Sequence, residues 1–422
     1  MRAPRGLPFS AAWLPGPPVP LSKGPASAVR SGGSDSPGAM NSSPVAGRPE
    51  SHASSAILAD AATVAGPQRG IPSLDGLRAF SILFVIASHL ILLPGAARLP
   101  EPFAAFGNFG VRVFFVISGF LITSLLVREK DEAGSIDLRR FWYRRAMRIF
   151  PPYFVFLAAV ALFMSSGVLP QADVRWWPAL TYTSNYFHVG AWFIAHSWSL
   201  SVEEQFYLCW PLVIAFASRR TALRVALTVI ALAPFIRVGI FVATRDYDAA
   251  QNWDFDFIAA GCALALAAPT LARSELWIAL NRAPRLVAAC LAVVFLHLAF
   301  SHSHRWVFVV EILAELTIEA VVIAAALAWC VQRPDTLVGR LLNAPPVRWI
   351  GLISYSLYLW QQVFFRPSGT LTPVQAAAAT LLVSMLSYYL IERPALRARG
   401  RLERWWTSRH SVVAETKLTS PE

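Results

Sequence analysis

Two residues in one apolar run have the types and spacing to do chemistry together: Arg78 and His89 of LDGLRAFSILFVIASHL, residues 74–90. They lie eleven residues apart, so at 100° per residue a helix would project both from one face, roughly 16 Å apart along its axis. An isolated ionisable group in hydrocarbon costs a few kcal/mol, which turns His89 toward a bundle interior or a water-filled cavity. There it could accept a proton, or it could hydrogen-bond a neighbouring helix and only pack.

Two further polar sets bear on that choice. In AHSWSLSVEEQFYLCWP, residues 195–211, His196, Ser199, Glu203 and Glu204 open an apolar run. A carboxylate that fixes an imidazole tautomer and stabilises the imidazolium would make His89 a general base and Glu203 its orienter. The competing reading is a helix start, with Ser199 capping and the acids favoured by the dipole. It accounts for the acids but not for His89. In RRFWYRRAMRIFPPY, residues 139–153, Arg145 and Arg148 are three apart and Arg144 and Arg148 four apart, so a helix would present them as a fork for phosphate. Anchoring at the cytoplasmic face is the ordinary use of such arginines, and both readings stand. The connector before residue 200 is crowded with Trp176, Trp177, Tyr182, Tyr186, Trp192 and Trp198. An interfacial aromatic belt is the favoured reading, and stacking on a sugar the alternative. Arg112 could line a cavity or snorkel outward, and Arg237, Glu311, Glu315 and Glu319 have no role at this level.

The elements that must position these residues are membrane helices. Of 422 residues 55% are hydrophobic and 15% charged, and the mean hydropathy is positive, well outside soluble norms. Ten apolar segments follow residue 74, near 74–94, 107–127, 149–168, 202–217, 222–243, 255–272, 285–300, 307–331, 349–366 and 372–392. The formal net charge of +12 resides largely in alternate connectors, such as the Arg139–Arg148 stretch and the arginines after residue 392. This is the positive-inside pattern, not a nucleic-acid footprint. It predicts an all-α integral membrane bundle of about ten transmembrane helices with both termini cytoplasmic. Residues 1–70, rich in Pro, Gly, Ser and Ala, are expected to be a disordered extension, and Met40 is a candidate start within it. Residues 71–394 form the membrane domain and 395–422 a basic polar tail. Cys209, Cys262, Cys290 and Cys330 make no CxxC pair, so neither a zinc site nor a disulfide framework is expected.

LDGLRAFSILFVIASH, FGNFGVRVFFVISGFLI, FWYRRAMRIFPPY, HSWSLSVEEQFYLCWP and ISYSLYLWQ, in that order from about Leu74 to Pro394, resemble the successive motifs of the acyltransferase-3 family of integral membrane acyltransferases. The resemblance implies transfer of an acyl group, commonly acetyl, from cytoplasmic acyl-CoA to a hydroxyl, often on an envelope sugar. The family's arginine and histidine match Arg78 and His89, its RxxR motif Arg145 and Arg148, and its SxxxE motif Ser199 and Glu203. His89 and Glu203 are then the catalytic pair, and Arg78, Arg145 and Arg148 hold the donor. His196, Trp198, Ser199 and Glu204 face the acceptor. No permanently bound cofactor or metal is expected. The partners are acyl-CoA (acetyl-CoA), a carbohydrate or glycolipid acceptor, the bilayer of the inner membrane and separate envelope assembly proteins. Some members carry a C-terminal SGNH hydrolase-like domain; here about 28 residues follow Pro394, which suggests a stand-alone member. A transporter or flippase of a polysaccharide pathway is the competing class, although no internal repeat supports it.

Overall fold

The computed structural model describes residues 71–275, 316–367 and 369–401, apart from residues 72, 94, 95, 97–101, 247, 248 and 251, together with isolated positions between 276 and 315. All regular structure among the described residues is helical. The helices are α1 (Leu74–Leu90), α2 (Pro102–Ala133), α3 (Leu138–Ser165), α4 (Trp176–Leu180), α5 (Trp192–Ala195), α6 (Ser197–Phe216) and α7 (Arg219–Thr244). They continue with α8 (Phe255–Leu271), α9 (Leu316–Gln332), α10 (Leu337–Leu342), α11 (Pro345–Leu352), α12 (Ser354–Phe364) and α13 (Pro373–Ser387), which runs into a π-helical turn, Tyr388–Glu392.

Local sequence explains many of the boundaries. Asp137, Ser218 and Thr336 cap α3, α7 and α10 by accepting from the backbone N–H groups of Arg140, Thr221 and Gly339. Thr372 and Gln375 form a reciprocal capping box at α13, with Pro373 in the first turn. Prolines inside helices leave carbonyls without an intrahelical donor, and side chains supply one. Pro211 interrupts α6, and Trp142 Nε1 donates to the freed carbonyl of Tyr207 at 3.0 Å. Pro269 interrupts α8, and Arg219 donates to the carbonyls of Leu266 and Ala265 at 3.0 and 3.4 Å. Lys130 Nζ gathers carbonyls at the end of α6, those of Ile214 and Ala215 and that of Ala217 just past it, at 2.7, 3.0 and 2.9 Å.

The centre of the molecule is α2. The apolar window of its 106–133 stretch is 78% buried, against 17% for that of α7, which turns Leu227, Phe235 and Val242 outward. Helix α2 packs most extensively on α8 and α1. Gly119 meets the backbone of Ile258, and Gly261 that of Val116, so closely that a Cβ at either position would collide with a carbonyl oxygen. This is how small residues let membrane helices approach.

Charge ties the same helices together. Arg112 of α2 pairs with Glu319 of α9 at 3.0 Å and with Asp254, at the start of α8, at 3.5 Å. Arg237 of α7 pairs with Asp256 of α8 and lies 3.7 Å from Asp254. All five side chains are buried. Arg112 therefore does not snorkel, and Arg237 and Glu319 gain a role that their sequence context did not supply. Glu311 and Glu315 lie outside the described residues.

The expectation of about ten transmembrane helices is corrected here. Among the described residues four helices are long and apolar enough to cross a bilayer: 106–133, α3, α7 and the run from Pro373 to Arg401. Helices α8 and α9 are apolar but reach only 17 residues each. Hydropathy counts apolar residues without seeing where the backbone breaks or which neighbour covers it. The segment expected at 349–366 is divided at Ile353 into α11 and α12, and every α12 residue from Ser354 to Val363 is buried in protein. The segment at 202–217 falls on α6, which carries Glu203, Glu204 and Pro211. Helix α1 is 17 residues long and bears Asp75 and Arg78. The segment at 285–300, the start of that at 307–331, and both termini, expected on the cytoplasmic side, lie outside the described residues.

Candidate active site

Helix α1 brings Arg78 and His89 to one buried face, both with no exposed surface. The His89 ring is held by α12: its Nδ1 bonds the side-chain oxygen of Gln361, and the Gln362 amide nitrogen lies 3.4 Å from its Nε2. The indole of Trp192, in α5, meets the ring edge-on with centroids 5.3 Å apart.

His196 joins the same glutamine. It sits at the turn between α5 and α6, where its backbone N–H and its Nδ1 both bond Gln362 Oε1, at 3.1 and 2.8 Å. Tyr358 of α12 stands edge-on to the ring at 4.8 Å and donates to the His196 carbonyl at 3.0 Å. Ser199 donates to that carbonyl at 3.2 Å and lies 3.4 Å from the Tyr358 hydroxyl. Ser199 therefore does not cap α6, whose first residue follows His196 without any side-chain cap. Two histidines, two glutamines, a tyrosine and a serine thus form one buried polar group inside an otherwise apolar core.

The arginines form a second group toward the other end of α1. Arg78 bonds Asp75 at 3.1 Å, while its Nε and Nη2 are buried without a partner among the described residues. Arg145 lies over the rings of Phe141 and Tyr207, at 5.5 and 5.6 Å. Arg148 pairs with Glu392 of the π-helical turn at 3.4 Å, and Ser356 donates to the same carboxylate at 2.9 Å. Arg145 and Arg148 lie within electrostatic reach of each other, of Arg78 and of Arg399. Several positive charges so arranged, one with idle donors, suit a multiply charged anion such as a phosphate group.

The acids expected near His89 belong to this second group. Glu203 lies within electrostatic reach of Arg78 and Tyr207, and Glu204 of Arg145. Glu204 Oε1 is buried without a partner among the described residues, as is the indole nitrogen of Trp198, whose ring packs edge-on against Phe115 at 6.4 Å. The structure thus gathers Arg78, Arg145, Arg148, Glu203 and Glu204 at one locus and His89, His196 and Ser199 at another. Sequence reasoning missed Gln361, Gln362, Tyr358, Tyr207 and Glu392. The consecutive polar pair 361–362 in an apolar stretch was the available signal, since buried amides demand partners. No group of three or more His, Cys, Asp or Glu side chains that could hold a metal occurs among the described residues.

The fold thus buries a histidine and an arginine on one face of α1 and sets Arg145 and Arg148 of α3 near that arginine, which places a candidate proton acceptor and a candidate anion site in one helical membrane protein. Residues 71–391 match the family described as Acyltransferase domain, and the chain belongs to this acyltransferase-3 family. It is similar to YrhL of Bacillus subtilis (strain 168), 28% identical over 416 residues that span 83% of this chain and 60% of that protein. It is similar also to the peptidoglycan O-acetyltransferase OatA of Listeria monocytogenes serovar 1/2a, 28% identical over 373 residues, 78% of this chain and 56% of the relative. The O-acetyltransferase OatA of Staphylococcus aureus (strain NCTC 8325 / PS 47) is 30% identical over 373 residues, 79% and 58% of the two chains. The chain therefore spans 56–60% of the length of these curated relatives. No solved structure matches it.

Proposed function

We propose that this protein transfers an acyl group, acetyl in the first instance, from acyl-CoA to a hydroxyl of an envelope or exported carbohydrate, working in the cytoplasmic membrane. The observation that carries this reading is helix α1. It sets a buried histidine on the same face as an arginine with two idle buried donors, beside Arg145, Arg148 and Arg399. The nucleotide phosphates of the donor bind the arginines, the pantetheine arm runs along α1, and the thioester reaches His89. The names of the OatA relatives support acetyl as the group and an envelope glycan as the acceptor class.

The chemistry needs little else. A thioester is already activated, so transfer calls for a base at the hydroxyl and for a well-placed donor. His89 takes the hydroxyl proton as the oxygen attacks the thioester carbon. The new C–O bond forms, the C–S bond breaks, and the imidazolium returns the proton to the departing thiolate. Glu203 acts at the donor end, where it offsets part of the charge around Arg78. Glu204 stands with it, beside Arg145, and His196, Ser199 and Trp198 border the route by which the acceptor approaches. Purified full-length protein in lipid discs, given radiolabelled acetyl-CoA and a panel of glycan fragments, is expected to move label to a glycan or, slowly, to water. A preparation that binds the glycans but neither transfers nor hydrolyses would favour a carrier and reject this reading.

A further inference from the structure

The hydrogen bonds around His89 contain a directional argument that begins at a group with no choice of protonation. The backbone N–H of His196 can only donate, and it is directed at Gln362 Oε1 at 3.1 Å. That fixes which end of the Gln362 amide is oxygen, and the Nδ1 of His196 donates to the same oxygen at 2.8 Å. The other end of the amide, Nε2, faces His89 Nε2 at 3.4 Å. An amide NH₂ can only donate, so the His89 Nε2 that it faces must hold a lone pair. The ring proton then sits on Nδ1, where Gln361 Oε1 accepts it. Both glutamines are fully buried on α12, so water does not compete for either bond.

We propose that Gln361 and Gln362 are positioning residues that hold His89 in its Nδ1–H tautomer, leaving the Nε2 lone pair to receive the acceptor's proton. This rests on the reading of His89 as the base. The 3.4 Å contact from Gln362 is long for a hydrogen bond, so an incoming hydroxyl displaces it at small cost. The Gln361 bond persists through the reaction, because Nδ1–H remains a donor in imidazole and imidazolium alike.

The two glutamines consequently differ in what an isosteric change does. Gln361 uses its oxygen, and its Nε2 has no partner among the described residues, so Gln361→Glu keeps an acceptor at Nδ1, and the charge it adds there favours the same tautomer. Gln362→Glu replaces the donor facing Nε2 with an acceptor, which draws the ring proton to Nε2 and removes the base. Acetyl transfer by Q361E is therefore expected to stay within about tenfold of the parent. Q362E is expected to lose at least about a hundredfold in kcat, the low end of what a general base contributes, with the KM for acetyl-CoA unchanged in both. The two variants carry the same added charge at adjacent buried positions, so a purely structural role predicts equal losses, and equal losses overturn the proposal. Should Q362E fail to insert, the neutral pair decides: Q361M, which removes the Nδ1 acceptor, must be slower than Q362M, which leaves it, and the reverse order overturns the proposal. Folded His89→Ala protein separates the two claims. A rate near the parent's would sink the base itself, whereas an inactive H89A with indistinguishable Q361E and Q362E would sink only the tautomer assignment.

Discussion

At the scale of single residues, the two arginines of the RxxR motif have different work, and their variants should fail differently. Arg148 neutralises Glu392 in a buried pair. Removing one partner of such a pair leaves an uncompensated charge and costs about 3–5 kcal/mol, so Arg148→Ala should lower the thermal midpoint in detergent markedly. Arg145 rests on aromatic faces, and Arg145→Ala should leave the midpoint nearly unchanged. Its effect should be on the apparent KM for acyl-CoA, raised by roughly tenfold or more if one charge-assisted contact of about 1.5–3 kcal/mol is lost. Two variants with the same midpoint and the same KM would show that the arginines are interchangeable anchors. His89→Ala should retain its fold, since a small apolar residue is readily accommodated in a helix, and should lose about 10²- to 10⁴-fold in rate. The face shared by Arg78 and His89 was legible because both lie in one helix, where spacing alone sets direction. Gln361, Gln362 and Glu392 were not, because they meet His89 or Arg148 across more than 240 positions of chain. Spacing along a helix says nothing about a contact of that kind.

At the scale of helices, the sequence revealed an all-α chain and most helix positions, but not which apolar stretches lie against lipid. Helix α12, which carries Ser354, Ser356, Gln361 and Gln362, is covered by protein, whereas α7 exposes Leu227 and Phe235. Average hydropathy over a long stretch does not separate the two settings, so the number of crossings was overestimated. The most extensive joint, between α2 and α8, is set by Gly119 and Gly261 against opposing backbone. Gly119→Leu should force the helices apart and sharply reduce the yield of folded protein, whereas Gly134→Leu, where a Cβ meets nothing, is strained only by its positive φ. Size-exclusion profiles of the two variants in detergent would test the distinction. Trp142→Phe offers a finer probe. It strips the donor from the Tyr207 carbonyl that Pro211 leaves free, and should cost about 1–3 kcal/mol as an unsatisfied buried acceptor.

At the scale of the whole molecule, the ionic group of Arg112, Arg237, Asp254, Asp256 and Glu319 joins α2, α7, α8 and α9. Arg237→Leu alone should destabilise the protein strongly, because Asp256 then stays buried without its counter-charge. A combined Arg237→Leu, Asp256→Leu change should recover much of the loss, since apolar replacement of a complete buried pair is often neutral. A double variant no more stable than the single would mean that Asp254, 3.7 Å from Arg237, rather than Asp256, carries the coupling.

The π-helical turn at Tyr388–Glu392 has a consequence for how this protein can change by insertion and deletion. A π turn holds one residue more than the α turn it replaces, so losing a single residue from it restores an ordinary turn and leaves the helix downstream facing as before. With Leu390 deleted, whose side chain is exposed, Glu392 keeps its face toward Arg148 and Arg399 its place in the arginine group. The same loss one turn further on is not absorbed: deleting Ala398, exposed in the α-helical stretch that follows, would rotate Arg399 by about 100° out of that group. Protein lacking Leu390 should saturate with acetyl-CoA as the parent does. Protein lacking Ala398 should saturate less readily, while still hydrolysing a short thioester such as acetyl-N-acetylcysteamine at the parent rate.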